Sequence, residues 1–281
     1  MKRTFFSFVP LMAVLFIFGH CNFKCSYRDI GFVRALFYPP QQDMQGGLPA
    51  DTPGAVFNHA DFDRIVKTYV DTKGHVDYGR LAREGAPALK KYIERLAAVD
   101  LDSLGSYERL ALYTNAYNAF TLQLMLNHQG VPSIRKIDKA WDRKEWNLGG
   151  QVITLNDLEH KWVRVQYDEP RIHFILVCAA ISCPWLRNEA YTGRALVRQL
   201  TDATNIFYSR PDAGYRREGN TLYLSELMDW YKSDFVSNAG SVVDYIIATH
   251  PDASEVAFLK ANKDNLKIKF SKYSWDLNGN W

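Results

Sequence analysis

The chain has 281 residues, 47% of them hydrophobic and 23% charged, and its formal net charge is only +3. A chain of this length can bury a sizeable core without disulfides or a structural metal. The small charge, with no stripe of clustered lysines and arginines, argues against nucleic acid as a partner. The composition therefore predicts a globular protein with one large domain.

The first 25 residues predict an export leader. Lys2 and Arg3 precede an apolar stretch from Phe5 to Phe18, which is too short to span a bilayer comfortably. The position of Cys21 leaves open whether the leader is cleaved, lipidated or kept as a membrane anchor. We therefore expect an exported protein, either periplasmic or anchored to the membrane and facing the periplasm.

The rest of the chain predicts a linker, residues 26–54, and a folded α+β domain, residues 55–281. Apolar residues recur at helical spacing in five segments, around 57–70, 88–98, 107–128, 157–167 and 193–208. Glycine turns predict hairpins near residues 149 and 219, and LKIKF near the C-terminus predicts a closing strand. We expect a helix-rich single domain around a small, mostly antiparallel sheet.

A histidine and two cysteines lie in the stretch RIHFILVCAAISCPWLR, residues 171–187. Its first part is apolar on both faces, which predicts a central strand over residues 172–178. Side chains alternate along a strand, so Cys178 and His173 would point to opposite faces. The simplest interpretation of Cys178 is a small buried apolar residue.

Cys183 is a stronger candidate for a chemical role than Cys178. Pro184 suits the first position of a helix, so PWLRNEA predicts a short helix with Cys183 at its N-cap. The positive end of that helix would stabilise a thiolate, the nucleophilic form of cysteine. His173 and His160 are the alternative general bases. Thr154 with Asp157, or Asn156 with Glu159, would each cap the helix around 157–167. Glu159 lies about 100° around that helix from His160, so we expect it to cap the helix or orient another group.

Two asparagines lie on one face of the helix around 107–128. Asn115 and Asn118 are three residues apart in an apolar setting, and buried amides need hydrogen-bond partners. They would either bind an imidazole or an oxyanion, or satisfy neighbouring backbone groups. Both alternatives remain open at this stage.

Five blocks of the sequence together resemble the DUF547 family, a domain family of unknown function. The blocks are YTNAYNAFTLQLML, ITLNDLEH, EPRIHFILVCAAISCPWLRNEAY, LYLSELMDWYKSDF and YSWDLN, and the similarity runs from about Phe57 to Asn278. The resemblance implies an exported bacterial member. It also implies that ten residues occupy the family's motif positions: Asn115, Asn118, Glu159, His160, Arg171, His173, Cys178, Cys183, Pro184 and Glu226.

Three hypotheses follow. The first is a thiol-dependent hydrolase or acyltransferase acting on a peptide or amide, with Cys183 as nucleophile, His173 or His160 as base and an asparagine as helper. By analogy, its residue order would suit a permuted papain- or transglutaminase-like arrangement. The second is a non-catalytic exported binding or structural domain with a Cys178–Cys183 disulfide. The third is a zinc site, although we expect no cofactor because the spacing of zinc motifs is missing from the sequence.

Overall fold

The computed structural model describes residues 48–281. The predicted leader, residues 1–25, and most of the predicted linker lie outside the described residues. Within the described range, no helix is both long and apolar enough to cross a membrane. The last part of the predicted linker lies against the domain. There the Thr52 N–H donates to Ser106 Oγ at 2.9 Å, and Asp51 Oδ1 accepts from the Tyr107 N–H at 3.0 Å.

Helices form most of the structure, which confirms the helix-rich α+β fold. The longest, Ser106–Asn127, is buried on nearly every side, and we call it the central helix. It packs against Ala86–Ala97, Asp157–Val163 and Leu196–Tyr208. The other α-helices are Ala60–Tyr69, Tyr78–Arg80, Arg164–Gln166, Leu227–Trp230, Lys232–Ala239, Val242–Thr249 and Ala253–Asn262. Short 3-10 or π segments are Leu81–Gly85, Ile134–Lys136, Pro170–Phe174, Gly193–Ala195 and Lys263–Asn265.

The strands of the described chain form three small sheets instead of one. They are β1 (Val76–Asp77), β2 (Trp146–Leu148), β3 (Gln151–Ile153), β4 (Tyr215–Glu218), β5 (Thr221–Ser225), β6 (Lys267–Ser271) and β7 (Gly279–Asn280). The β2–β3 and β4–β5 hairpins are antiparallel, as the glycine turns predict. The closing strand β6 pairs in parallel with β5, and β7 pairs in parallel with β1.

The predicted central strand over residues 172–178 is wrong. Pro170–Phe174 forms a 3-10 helix, whose first turn is capped by Glu169 Oε1 accepting from the Arg171 N–H at 3.0 Å. The chain then runs without a strand to residue 183, with a single bridge between Ala180 and Leu277. Protein encloses this stretch, and Ile172 and Val177 are both buried. The sequence of the stretch is therefore apolar on both faces. Burial on all sides gives the same sequence pattern as a central strand.

The C-terminal residues 274–278 hold the loop that carries the cysteines. The Ile181 N–H donates to the Asp276 carbonyl at 2.8 Å, and the Ser182 N–H donates to the Ser274 carbonyl at 3.2 Å. In return, the Ser274 N–H donates to Ser182 Oγ at 2.9 Å. These bonds fix residues 181 and 182 of the loop, immediately before Cys183.

Candidate functional site

A reciprocal pair of hydrogen bonds positions Glu159 and His160. The Asp157 N–H donates to Thr154 Oγ1 at 2.8 Å, and the Thr154 N–H donates to Asp157 Oδ2 at 3.0 Å. This capping arrangement is one of the two that the sequence allows. The segment that follows, Asp157–Val163, is a π-helix, a form often found at functional sites.

The winding of this segment changes the expected directions of its side chains. We expected Glu159 to point away from His160, on the geometry of an α-helix. Instead both residues line the same cavity, with 3.8 Å between His160 Nδ1 and Glu159 Oε1. A π-helix has more residues per turn, so successive side chains diverge less. The prediction that the two side chains diverge is therefore wrong.

The cavity has a volume of about 470 Å³ and is lined by aromatic, titratable and sulfur-containing side chains. It is lined by Tyr117, Trp141, Asn156, Glu159, His160, His173, Leu176, Cys178, Cys183, Leu227, Asp229, Trp230, Tyr231, Tyr273 and Trp275. Four of the six candidate residues of the sequence are in this set: Cys183, His173, His160 and Glu159. Such a combination of apolar walls and converging polar groups is typical of a ligand site.

His173 is held by a buried ion pair. Its Nε2–H donates to Asp234 Oδ2 at 2.8 Å. Asp234 in turn accepts two hydrogen bonds of 2.8 Å from Nε and Nη2 of Arg164, whose side chain is fully buried. The His173 and Arg164 contacts hold the pKa of Asp234 well below its usual range, although burial opposes this. The carboxylate therefore stays ionised and fixes the ring of His173, which also stacks on Tyr231.

Glu159 is a buried carboxylate with neutral hydrogen-bond donors. It accepts from the hydroxyl of Tyr117 at 3.0 Å and from the hydroxyl of Tyr231. Burial alone would raise its pKa, but the nearby His160, the Tyr231 hydroxyl, His173 and Arg164 together lower it below the ordinary value. Glu159 is therefore ionised at neutral pH although it is only 6% exposed.

Both histidines of the cavity are neutral at neutral pH. Burial is the main cause that lowers the pKa of His160 and of His173, and the nearby Arg164 lowers both further. Arg164 Nη1 donates to His160 Nδ1 at 3.1 Å. Neutral His160 therefore carries its proton on Nε2, whereas neutral His173, which donates from Nε2, has its lone pair on Nδ1.

The two cysteines lie next to each other on the cavity wall. Both are free cysteines in the structure. The Cys178 N–H donates to Cys183 Sγ at 2.9 Å, and Cys178 Sγ lies 3.3 Å from the hydroxyl of Tyr273. Cys183 is the more enclosed of the two, at 3% exposure. The sequence hypothesis of a Cys178–Cys183 disulfide required the loop to bring these two residues together, and the loop does so.

The predicted helix N-cap at Cys183 is wrong. Residues 184–190 form no helix, so no helix dipole acts on the sulfur. A different positive charge lies close by, because the guanidinium of Arg210 donates to the carbonyls of Cys183 and Ile181. Ala179, between the two cysteines, has a φ of 57°. Such left-handed backbone is strained for a residue with a Cβ and is often found at functional sites.

A known family model matches the part of the chain that contains most residues of this site. Residues 101–207 match the model of the family described as "Protein of unknown function, DUF547". The resemblance to the DUF547 family is thereby confirmed over this region. The match is shorter than the resemblance over 57–278, but it contains the central helix, the π-helix and both cysteines. No curated protein matches the chain, and no solved structure matches it either.

The two asparagines of the DUF547 region do not line the cavity; they hold loops around the central helix. Asn115 exchanges two hydrogen bonds with the backbone of Tyr191, at 2.7 and 2.9 Å. Asn118 donates to the Ile175 carbonyl at 3.1 Å and accepts from the Val177 N–H at 2.9 Å. Of the two interpretations left open by the sequence, backbone satisfaction describes the observed contacts. Asn118 thereby supports the segment between His173 and Cys178.

The candidate residues from sequence omit several members of the site. Asp234, Arg164, Tyr231 and Tyr273 were not predicted, although each contacts a predicted residue. Arg164 is four residues after His160, a spacing that places side chains together on a helix. Asp234 and Tyr231 lie in the block LYLSELMDWYKSDF, and Tyr273 lies in YSWDLN, beyond the matched DUF547 region. The resemblance in those two blocks was the sequence signal that could have identified these three residues.

The zinc hypothesis has no support in the geometry. Across residues 48–281, no group of three or more histidine, cysteine, aspartate or glutamate side chains is arranged to hold a metal ion. His160 and His173, the imidazole ligands of that hypothesis, instead bind Arg164 and Asp234.

Proposed function

We propose that the protein is a thiol-dependent hydrolase or acyltransferase with Cys183 as its nucleophile and His173 as its general base. One observation carries the proposal: Cys183 and a histidine anchored by a partly buried aspartate line the same cavity. A nucleophile, a base and a third group that orients the base are the parts that covalent acyl transfer needs. The substrate class that suits this chemistry is a peptide, an amide or another acyl compound.

Three features support thiolate formation at Cys183. Neutral His173 has a lone pair on Nδ1 because its Nε2–H is held by Asp234. The Cys178 N–H already donates to the sulfur, and a donor of this kind favours the charged form. The guanidinium of Arg210 brings a positive charge to the carbonyl of the same residue. The N–H donor and the guanidinium lower the free energy of the thiolate relative to the thiol, and the His173 lone pair offers a place for the proton.

The proposed reaction is balanced as follows. His173 takes the proton of the Cys183 thiol, and the thiolate attacks the acyl carbon of the substrate. The bond to the leaving group breaks, and the leaving group receives the proton from His173, while the acyl group remains on sulfur. Water or an acceptor amine then takes the acyl group and restores the thiol. His173 and Cys183 share no direct hydrogen bond in the described chain, so the first proton moves through a bridging water or after a small rotation.

His160 is the second candidate for acid–base chemistry in this scheme. Because its Nδ1 accepts from Arg164, its proton is on Nε2, which suits donation to a leaving group. We assign Glu159 an electrostatic part, since it is ionised beside both histidines. The asparagines take no part in the chemistry. We also propose, from the leader sequence, that the protein acts outside the cytoplasm.

The proposal is tested by the pH dependence of alkylation. Fully reduced protein is treated with iodoacetamide from about pH 5 to pH 9, and the modified peptides are quantified to separate the two cysteines. We expect the midpoint for Cys183 at least about one unit below the ordinary thiol value of about 8.5. His173→Gln should raise that midpoint, whereas Cys178→Ser and the control His128→Gln should leave it in place, since His128 does not line the cavity. An ordinary midpoint in the wild type would end the assignment of Cys183.

The adjacency of the two cysteines, in which the Cys178 N–H donates to Cys183 Sγ, favours a second candidate, a non-catalytic domain with a structural Cys178–Cys183 disulfide. Formation of the bond removes two protons and two electrons, which a small disulfide oxidant would take up. Intact mass after isolation without reductant, and again after treatment with glutathione, separates the candidates. A bond that resists glutathione supports the structural domain, whereas a bond that opens leaves both thiols for chemistry.

A further inference from the structure

The cavity wall is unusually rich in aromatic rings. Six of the lining residues are aromatic: Tyr117, Trp141, Trp230, Tyr231, Tyr273 and Trp275. Trp230 and Trp275 lie nearly parallel, with ring centroids 5.8 Å apart and an interplanar angle of 17°, and Trp141 meets Trp275 edge-on. Arg135 lies over the Trp275 ring at 5.4 Å from its centroid, so this ring already binds a cation.

The charged side chains on this wall are acidic. Glu159 and Asp229 line the cavity, and the lining residues include no lysine or arginine. Arg164, the buried cation nearby, is neutralised by Asp234 through two hydrogen bonds. In the described part of the chain, no lysine or arginine forms an ion pair with Glu159, which contacts two neutral tyrosine hydroxyls and the adjacent His160.

The histidines do not supply the missing positive charge. Burial lowers the pKa of His160 and His173, so both rings are neutral at neutral pH. Arg164, Asp234 and Glu159 together carry one net negative charge, and the other cations that approach the wall, Arg135 and Arg210, lie at Trp275 and at the Cys183 carbonyl. A buried carboxylate with no lysine or arginine paired to it is costly, and a cationic ligand would compensate it.

We propose that this cavity binds a positively charged amine of the substrate, held by Glu159 and the surrounding aromatic rings. Aromatic faces attract ammonium groups, and they do so more strongly where water is excluded. A carboxylate behind such rings adds charge complementarity without closing the site. An anionic substrate would instead meet two carboxylates on the wall.

This inference deepens the proposed function, on which it rests for the identity of the reacting group. Cys183 lines the same cavity as Glu159, so one substrate molecule can present its ammonium group to the carboxylate and its acyl carbon to the sulfur. The substrate class is then an acyl compound with a free amine, such as an aminoacyl compound or a peptide with an unblocked amino group.

The experiment compares choline with 3,3-dimethyl-1-butanol, in which carbon replaces the charged nitrogen of choline. The full wild-type chain is used in reduced form, and binding is followed by tryptophan fluorescence and by calorimetry. We expect choline to bind at least about tenfold more tightly than its neutral isostere, which corresponds to about 1.4 kcal/mol. Equal affinities, or no binding of choline, would overturn the proposal.

Substitutions test which residues cause the preference for choline over its neutral isostere. Glu159→Gln should remove most of the preference for choline while leaving the weak binding of the isostere unchanged. Asp229→Asn is the matched control, because this exposed carboxylate is screened by solvent and should change affinity by less than about threefold. Should Glu159→Gln fail to fold, Trp230→Leu tests the aromatic part, and it should weaken choline much more than the isostere. An unchanged preference in either variant would contradict the assignment.

The two proposals fail separately. Choline binding involves no thiol chemistry, so a low-pKa Cys183 combined with no charge preference would remove only the cationic substrate. A clear charge preference combined with an ordinary thiol at Cys183 would remove the enzyme proposal and leave a binding site for amines.

Discussion

Arg164 and Asp234 form a two-bond ion pair, with both donor–acceptor distances at 2.8 Å and the arginine side chain fully buried. The pair joins the short helix Arg164–Gln166, which follows the π-helix, to the helix Lys232–Ala239, 70 residues later. Asp234 also holds His173, so one carboxylate connects the stability of the fold to the orientation of the proposed base.

Removing the charge of Asp234 should therefore be costly. Asp234→Asn leaves the guanidinium of Arg164 buried without a counter-charge, and we expect the free energy of unfolding to fall by about 3–5 kcal/mol. Urea unfolding of the wild type and the variant measures this change. Asp229→Asn, an exposed carboxylate on the same cavity, is the control and should change the value by less than about 0.5 kcal/mol. A loss below about 1 kcal/mol for Asp234→Asn would show that the ion pair is not a stabilising contact.

The stability of the protein should fall on mild acidification. His160 and His173 have pKa values below the ordinary value, so the folded protein keeps them neutral where the unfolded chain, with a histidine pKa of about 6.5, is protonated. The unfolded state then binds more protons, and stability rises with pH in that window. Stability is thus fully present above about pH 6.5 and is lost as the pH falls towards the lowered native values.

Urea unfolding at about pH 8 and pH 5 tests this expectation. Asp234 and Glu159, whose pKa values are also lowered, add a loss in the same direction only below about pH 4, so they do not confuse the comparison. His160→Gln and His173→Gln should each make the pH dependence shallower. Equal stability of the wild type at the two pH values would show that the histidines titrate normally in the folded state.

Much of the fold follows from the sequence because its signals are local. The central helix, the cap at Thr154 and both glycine hairpins depend on residues a few positions apart, and the structure confirms them. The strand over 172–178 was wrong because enclosure by protein and enclosure in a sheet give the same apolar run. The helix expected after Pro184 was wrong, and residues distant in sequence hold the end of that stretch: the Ala190 N–H donates to Asp63 Oδ1 and the Ala190 carbonyl accepts from Gln199.

The candidate site shows the same division. His160, His173, Glu159 and Cys183 were found from their residue types and the resemblance, and they do line one cavity. Asp234 was not found from the sequence, because its contact with His173 spans 61 residues and leaves no periodic pattern. The pairing of Cys178 with Cys183 was among the sequence hypotheses, but an extended strand would have separated them, and only the observed loop brings them together.

The loop between the cysteines contains a strained residue whose replacement should stabilise the protein. Ala179 has a φ of 57°, which glycine adopts without the Cβ clash that alanine suffers. We expect Ala179→Gly to raise the free energy of unfolding by about 1 kcal/mol, as measured in urea. Ala180→Gly is the matched control, because Ala180 is buried in ordinary backbone and its replacement should lower stability by about 0.5–1 kcal/mol. A destabilised Ala179→Gly would mean that the Ala179 methyl group contributes more by packing than its backbone costs in strain.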